Sequence, residues 1–273
     1  MIFFKARTPE AYNIKGLCKL LQNGISVGCF VISKKGINLC MSDKARVKLY
    51  NVNLYADNFT IYKYRRTTES HFGINMSHFH QMLKTIKKRD SIELFIDEKE
   101  PTDFGIKVIP KEGGRTNISY VKVQEIQNIK MGVPEGYSRS IIVNSSEYQK
   151  MCKSMSKINN EVKITSKAFQ LTFSCNDGGL MRNSMTFGDP EDSDSDDDDK
   201  SHHETYEEDF EIEHLVKTTE ISILSQNMKL YPKEGLPLLI KSNIGSLGDI
   251  SIYIKSKQLV ENEARLINSD DDD

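Results

Sequence analysis

The chain has 273 residues, of which 37 are basic and 39 acidic, and 38% are hydrophobic. This length is sufficient for two domains that each bury a core. The sequence has no apolar run of about eighteen residues, and Lys5 follows the first apolar residues too closely for a signal peptide, so we expect a soluble, intracellular protein.

The five cysteines are widely spaced and form no CxxC pair. This spacing argues against a disulfide framework and against a zinc site. Because their neighbours are mostly apolar, we expect buried, reduced thiols, which suit the cytoplasm or the nucleus.

The acidic residues are segregated along the chain. Residues 189–213 contain fourteen acids and one base, and Asp270–Asp273 add four more acids. Without these eighteen acids and one base, the remaining chain has a net charge of +15. The sequence therefore predicts a basic folded body that carries an acidic insert and an acidic tail.

One pattern occurs twice in the chain. An amphipathic helix followed by the strand pattern Ile32–Leu39 returns as the pattern Ile164–Leu171, 132 residues later. Alternating, aromatic-rich segments separated by Asn, Asp, Gly and Lys turns surround the helices in both halves. The sequence therefore predicts two copies of one α+β domain, with helices on one side of the sheets.

Four predicted helices carry lysine opposite an apolar face. In chain order, they begin near Thr8, with a cap at Ser77, with a cap at Ser145 or Ser146, and near Ile212. The lysines on their outer faces are Lys15, Lys19, Lys84, Lys150, Lys153, Lys157 and Lys217. One such stripe is usually a solvated face, but four stripes on one surface would attract a polyanion through phosphate neutralisation.

Several short motifs occur in an order that resembles one family. They are Gly36–Leu39 with Asp43–Val47, Gly73–Met76, Met131–Glu135, Leu236–Ile240, Ile244–Gly248 and Tyr253-Ile254. None is specific alone, but together, over residues 3 to 260, they resemble the DNA sliding clamps of the proliferating cell nuclear antigen family.

The resemblance implies an α+β DNA clamp fold of two similar domains that assembles into a homotrimeric ring. Helices would line the inner face and β-sheets the outside. It implies a DNA polymerase processivity factor that encircles duplex DNA without reading its sequence and serves replication and repair. The expected domains are residues 1–123 and 140–260, with a connector at 124–139, the acidic insert at 189–209 and the tail at 261–273.

The resemblance also assigns roles to particular residues. Lys15, Lys19, Lys84, Lys150, Lys153, Lys157 and Lys217 would face DNA, whereas Gln22 and Gln81 replace lysines that are common in the family. A pocket for short partner peptides would use Ser42, Arg46, Val47, Leu49, Met131, Val133, Pro134, Pro237, Tyr253 and Ile254. The subunit interface would use Ile118, Tyr120, Met181 and Met185.

The peptide pocket would receive a DNA polymerase, a clamp loader, a nuclease or a ligase. Ser42 and Arg46 stand where the family commonly has methionine and histidine, which indicates a different peptide preference. At the position of a family ubiquitin-acceptor lysine, the chain has Gln170, with Lys167 nearby.

Neither a catalytic constellation nor a cofactor motif is evident, so we expect a non-enzyme without cofactor or metal. Asp192–Asp196 begins like a calcium loop, but Asp197 and His203 replace the glycine and glutamate that such a loop requires.

Two alternative functions remain open: a subunit of a heterotrimeric checkpoint clamp, and a clamp-derived transcription or scaffold factor that forms no ring. The expected location is the nucleus or, for a viral protein, a cytoplasmic virus factory, and no membrane partner is expected.

Overall fold

The structure is a computed structural model that describes residues 1–124, 126, 131–167, 169–188 and 205–270, without the side chains of 267–270. The chain forms two compact units. Unit 1 comprises Met1–Val133, Ile223–Ser225 and Ser242–Ser251. Unit 2 comprises Pro134–Ser222, Gln226–Lys241 and Ile252–Asp273. Among the described helices, none is both long and apolar enough to cross a membrane.

Unit 1 is an antiparallel sheet with two main helices. Its strands are β1 (Ile2–Thr8), β2 (Val27–Ile32), β3 (Gly36–Ser42), β4 (Lys48–Tyr55), β5 (Ile61–Tyr64), β6 (Ser70–Asn75), β7 (Ser91–Asp97), β8 (Glu100–Ile109) and β9 (Asn117–Gln124). Its helices are α1 (Ala11–Gln22) and α2 (Met76–Leu83), and one 3₁₀ turn spans Ala56–Asn58. The strand order is β4-β3-β2-β6-β9-β8-β7-β1-β5.

The core of unit 1 follows the apolar periodicity of its helices. Ile14, Leu17 and Leu21 of α1 are buried, as are Phe79 and Leu83 of α2. These positions recur at intervals of three and four residues, which places them on one face of each helix.

The cap of α2 differs from the predicted Ser77. The Asn75 side chain accepts a hydrogen bond from the His78 N–H at 3.0 Å, so the cap lies two residues before the expected Ser77. Asparagine is a strong N-cap because its side-chain oxygen satisfies an otherwise unpaired helical N–H.

Unit 2 repeats the helix-and-strand plan. Its elements are β10 (Ile141–Asn144), α3 (Ser145–Met155), β11 (Glu161–Lys167), β12 (Gln170–Asn176), β13 (Arg182–Phe187), β14 (Tyr206–Glu211), α4 (Ile212–Val216), β15 (Asn227–Tyr231) and α6 (Lys257–Asp270). The residues of α5 (Ile221–Leu224), β16 (Leu238–Ile244) and β17 (Gly248–Ile254) are divided between the units. One sheet of unit 2 has the order β13-β12-β11-β14.

Helix α3 buries Tyr148, Met151, Cys152 and Met155, as its periodicity predicts. Its cap is Asn144, whose side chain accepts the N–H groups of Ser146 and Glu147 at 3.0 and 3.1 Å, rather than the expected serine. The predicted helix near Ile212 is present as α4.

The acidic segments contain structure that composition did not indicate. Strand β14 begins at Tyr206, inside the range expected to be the acidic insert, and pairs with β11 through Val162↔Phe210. Tyr206 and Phe210 are buried on one face of the strand, which they share with the half-buried Glu208, while Glu207, Asp209 and Glu211 lie on the other face. Residues 189–204 of the insert and 271–273 of the tail lie outside the described residues, as do 125 and 127–130 of the expected connector.

All five cysteines are free thiols, and four are buried, in agreement with the sequence. Burial raises the pKa of the Cys152 thiol to about 12, and hydrogen bonds from Tyr148 and the backbone oppose this rise only in part. These thiols are therefore structural rather than reactive.

Candidate nucleic-acid and assembly surfaces

In unit 1, the predicted DNA-facing lysines differ in what they contact. The Lys15 ammonium donates hydrogen bonds to the carbonyl oxygens of Lys84, at 2.7 Å, and Ile86, at 3.0 Å. The Lys84 carbonyl belongs to the C-cap of α2, where helical carbonyl groups lack internal partners and carry partial negative charge, and Ile86 follows in the turn after the helix. Lys15 therefore ties α1 to α2, while the Lys84 side chain is exposed. Lys19 on α1 is half-buried.

In unit 2, the predicted lysines of α3 are free of such contacts. Lys150, Lys153 and Lys157 are exposed, and none has an ion pair with a described carboxylate. Lys150 and Lys153 lie on the helix opposite its buried face, and Lys157 follows in the turn after it. Three ammonium groups over about 10 Å of helix suit the phosphates of a nucleic acid.

Lys217, at the end of α4, is only half-exposed and pairs with Glu213 at 2.5 Å. The two residues are one helical turn apart, where such pairs form readily. The positive charge of Lys217 is therefore partly neutralised.

Within the described residues, strand β9 of unit 1 is unpaired along most of one edge. It pairs with β8 through Val108↔Asn117 to Asp103↔Lys122, but β6 meets only its last two residues, Val123 and Gln124. Along the free part, Ile118 is 49% and Tyr120 53% exposed. An edge with apolar side chains is a template for another strand.

Strand β13 of unit 2 is also an edge in the described residues. It pairs with β12 on one side, through Leu171↔Phe187 to Asn176↔Arg182, and ends the order of its sheet. Met181 is 51% and Met185 37% exposed, and both lie on or beside this strand. Within the described residues, the free parts of β9 and β13 thus each lie beside two exposed apolar residues of the predicted interface set.

Part of the predicted peptide pocket lies on the loop between β3 and β4 of unit 1. Asp43 organises this loop: its carboxylate accepts the N–H groups of Val47 and Lys48, both at 2.9 Å, and pairs with the Lys48 ammonium at 2.7 Å. Lys48 is 1% exposed. Arg46 adopts a left-handed φ of 57° at the tip and points outward, as do the partly exposed Ser42, Val47 and Leu49.

The Asp43–Lys48 pair fixes the charge state of this loop. Burial by itself would raise the pKa of Asp43, but the hydrogen bonds and charge of Lys48 and the Val47 N–H together lower it. Asp43 is therefore ionised at neutral pH and holds the backbone that displays Arg46 and Val47. The sequence analysis did not detect this pair, because a lysine at a strand start normally points to solvent.

Unit 2 carries Tyr253, Pro237, Pro134 and Ile254 of the predicted pocket. The Tyr137 hydroxyl donates to the Pro237 carbonyl oxygen at 2.7 Å, and its ring lies 6.0 Å from that of Tyr253. Tyr137 is thus a candidate site residue that the sequence analysis missed. Ile254 has no exposed surface and Tyr253 only 5%, so both are buried and contribute little surface of their own to a pocket. In the connector region of unit 1, Met131 is exposed and Val133 half-buried.

Comparison with protein families gives the class of this fold. Residues 3–128 match the family model described as the N-terminal domain of proliferating cell nuclear antigen, and residues 132–257 match the model of its C-terminal domain. The two models together cover most of the chain and agree with the internal duplication.

Two relatives extend over nearly the whole chain. A protein of Paramecium bursaria Chlorella virus 1 described as probable DNA polymerase sliding clamp 1 is 24% identical over 254 residues, which are 93% of this chain and 96% of that protein. The crystal structure of the proliferating cell nuclear antigen of Entamoeba histolytica aligns with a TM-score of 0.80 at 19% identity, covering 94% of this chain and 100% of that one.

The fold is therefore the two-domain DNA clamp fold, as the motif order predicted. The chain belongs to the proliferating cell nuclear antigen family of sliding clamps.

Proposed function

We propose that this chain is a DNA polymerase processivity factor that closes into a homotrimeric ring around duplex DNA. The ring tethers a DNA polymerase, and replication and repair enzymes, to their template. The chain supplies binding surfaces to these reactions, without a catalytic group of its own. Its site of action is the place of DNA replication, the nucleus or, for a viral protein, a virus factory.

The observation that carries this proposal is the pair of free strand edges. The β9 edge in unit 1 and the β13 edge in unit 2 each expose backbone and apolar side chains. Because the two edges are different surfaces, their association is head-to-tail, and a head-to-tail contact either closes into a ring or grows without end. The family relationship supports closure.

The lysines supply the sequence-independent contact with DNA. Lys150, Lys153 and Lys157 are placed to neutralise phosphates, and Lys19, Lys84, Lys15 and Lys217 add charge to the same function. Such contacts release counterions and carry no base information, so the ring can slide.

We propose two separate partner surfaces, the β3–β4 loop of unit 1 and the Tyr137–Pro237–Tyr253 cluster of unit 2. We propose that these two surfaces receive short peptide motifs of the polymerase, the clamp loader, and nucleases or ligases. Arg46, at the loop tip, favours peptides with an acidic residue near their apolar anchor.

The test of ring formation is the solution mass, measured by light scattering over a concentration series. A mass three times that of the 31.2 kDa chain is expected. The substitution Met185→Arg should reduce the mass to that of one chain, because a charge on the β13 edge would be buried on pairing.

A matched control is Val260→Arg, because Val260 is 38% exposed but lies on α6, which packs on β14 at the opposite end of the sheet from β13. This variant should keep the trimer. A wild-type protein that remains one chain at every concentration would contradict the ring and favour a clamp-derived adaptor or a mixed ring.

A further inference from the structure

A basic groove lies at one end of unit 1, beside the turn between β8 and β9. It has a volume of about 630 Å³ and is formed by the turn after α2 and by residues 110–117. Its basic side chains are Lys87, Lys88, Arg89, Lys111 and Arg115, and its acids are Asp90 and Glu112. The groove therefore carries a clear excess of positive charge.

Most of this charge is not neutralised within the described chain. Glu112 approaches Arg89 at 3.5 Å, with both side chains mostly exposed, and such a pair is weak. The Asp90 carboxylate accepts the backbone N–H of Lys87 at 2.9 Å. Among the described residues, Lys87, Lys111 and Arg115 form no ion pair. These three cations can bind an external anion.

The internal duplication indicates what approaches this groove. Within unit 1, the end of β4 lies beside the turn that precedes Gly248: the Tyr55 N–H donates to the Leu247 carbonyl oxygen at 3.0 Å, and the Tyr55 hydroxyl donates to Asp249 at 2.5 Å. Strand β4 thus brings its carboxyl end to a hairpin turn.

The same two elements occur once more in the chain. Strand β13 occupies the position of β4, since β13-β12-β11 repeats the order β4-β3-β2 after the first helix of each unit. Strand β9 and the turn before it, residues 110–116, occupy the position of β17 and its turn. In the proposed ring, β13 of one copy pairs with β9 of the next in the way that β4 lies beside β17. The residue after Phe187 is then next to residues 110–116 of the neighbouring copy, which form part of the basic groove.

The sequence after Phe187 is strongly acidic. Residues 189–204 contain nine acids and one lysine, and they follow β13 directly through Gly188. We propose that the acidic segment 189–204 of one copy binds the basic groove of the neighbouring copy and strengthens the contact between subunits. This inference rests on the proposed ring, because it takes its geometry from the β9–β13 pairing.

Nucleic-acid phosphates are a second class of anion that a basic groove could bind. The acidic segment is favoured because strand pairing tethers it at the groove, which gives it a high effective concentration there. The contact should be sensitive to salt, because its charges are exposed to solvent.

The first experiment measures trimer dissociation by analytical ultracentrifugation at low and high salt. The groove variant Lys87→Glu, Lys111→Glu, Arg115→Glu is compared with the charge-matched control Lys34→Glu, Lys35→Glu, Lys63→Glu, whose residues are exposed outside the groove. At low salt, the groove variant should dissociate about tenfold more readily than the control, and the difference should vanish at about 0.5 M salt.

A charge-exchange variant tests whether misfolding, rather than lost charge pairing, causes any loss of association. Asp194→Lys, Asp196→Lys and Asp198→Lys, combined with the groove variant, should restore association, whereas either set alone weakens it. Thermal unfolding of each variant verifies that the units remain folded.

The second experiment identifies the contact directly. Equal amounts of ¹⁴N-labelled and ¹⁵N-labelled chains are mixed, treated with a carbodiimide that joins lysine to carboxylate, and digested for mass spectrometry. Cross-links between Lys87 or Lys111 and the acidic segment should include pairs of one light and one heavy peptide, which only two different chains can form.

The outcomes separate this inference from the ring itself. If the wild type is a trimer but the groove variant behaves like its control, or if only same-isotope cross-links form, the inference is overturned and the ring stands. A groove variant that assembles normally but is retained poorly on circular DNA would assign the groove to phosphate and also overturn it. A monomeric wild type would overturn both proposals.

Discussion

Two sets of lysines, one in each unit, make different contacts, although one sequence pattern underlies both units. In unit 1, Lys15 is bonded to the carbonyls that end α2, and Lys48 is buried against Asp43. In unit 2, Lys150, Lys153 and Lys157 reach solvent without an acidic partner among the described residues. The difference teaches that lysines in a positive stripe can either stabilise the fold or remain available to a ligand. Only the contacts of each lysine in the structure distinguish these two roles.

The largest effect on stability is expected for Lys48→Met in unit 1. Removing one partner of a buried pair leaves the Asp43 carboxylate uncompensated, so the free energy of unfolding should fall by about 3 kcal/mol. Urea denaturation followed by circular dichroism measures the loss. Lys44→Met, in the exposed part of the same loop, is the control and should be nearly neutral.

The pH dependence sharpens this prediction. The folded pKa of Asp43 lies below its unfolded value, so its contribution is present above about pH 4 and is lost as pH falls through the folded pKa. The Lys48→Met variant should lack most of this acid-side loss. A wild type and variant with parallel stability curves below pH 4 would refute the role of the pair.

In unit 2, the expected effect is on the affinity for DNA rather than on folding stability. Changing Lys150, Lys153 and Lys157 to Gln should weaken binding to duplex DNA by about 100-fold at low salt and reduce the salt slope by about three per chain. The melting temperature should stay unchanged. Filter binding over a salt series measures both quantities.

The matched control for α3 is the triple change of Lys167, Lys229 and Lys241 to Gln, which removes the same charge from strands. Equal losses in the two triples would mean that net charge alone governs binding and that α3 has no special role.

A change at Lys15 should affect both folding stability and DNA affinity. Lys15→Met removes two hydrogen bonds to the end of α2, so stability should fall by about 1.5 kcal/mol, and DNA affinity should fall only slightly. Lys84→Met removes an exposed ammonium, so it should weaken DNA binding and leave stability nearly unchanged. If Lys15→Met weakens DNA binding as much as Lys84→Met does and leaves unit 1 equally stable, then Lys15 has no structural role and the contrast with the lysines of α3 is wrong.

The smallest effect belongs to Lys217. Its pair with Glu213 is a half-exposed contact across one helical turn, with a coupling energy of about 0.3–0.5 kcal/mol. A double-mutant cycle with Lys217→Met and Glu213→Gln measures this coupling, and a coupling near zero would leave Lys217 available to DNA.

The sequence predicted the elements whose pattern is local. The core faces of α1, α2 and α3 follow from apolar periodicity, and the clamp fold from the order of several motifs. Ile118, Tyr120, Met181 and Met185 are exposed beside free edges, although their role in assembly stays a prediction.

The sequence could not predict contacts between distant elements. Lys15 meets carbonyls some seventy positions away, at Lys84 and Ile86, and no local pattern encodes that meeting. Strand β14 was not predicted because acids dominate its composition and three of them separate Tyr206 from Phe210. Helix α6 was missed for the same reason, since its charged residues resembled the start of a tail.

Helix α6 covers one end of unit 2, where β14 is the outer strand of its sheet. Ser256 caps the helix by accepting the Leu259 N–H at 3.2 Å, and Lys257 pairs with Glu161. Gln258 then accepts the Asp209 N–H at 3.1 Å and donates to the Asp209 carboxylate at 3.2 Å.

Because Gln258 satisfies a backbone group on β14, a foreign strand finds less to bind at that edge than at β13. In the proposed ring, each molecule adds one neighbour at β9 and one at β13, and the Gln258 contact disfavours a further strand at β14. With two neighbours per molecule, the proposed assembly can close into a ring but cannot branch into a disordered aggregate.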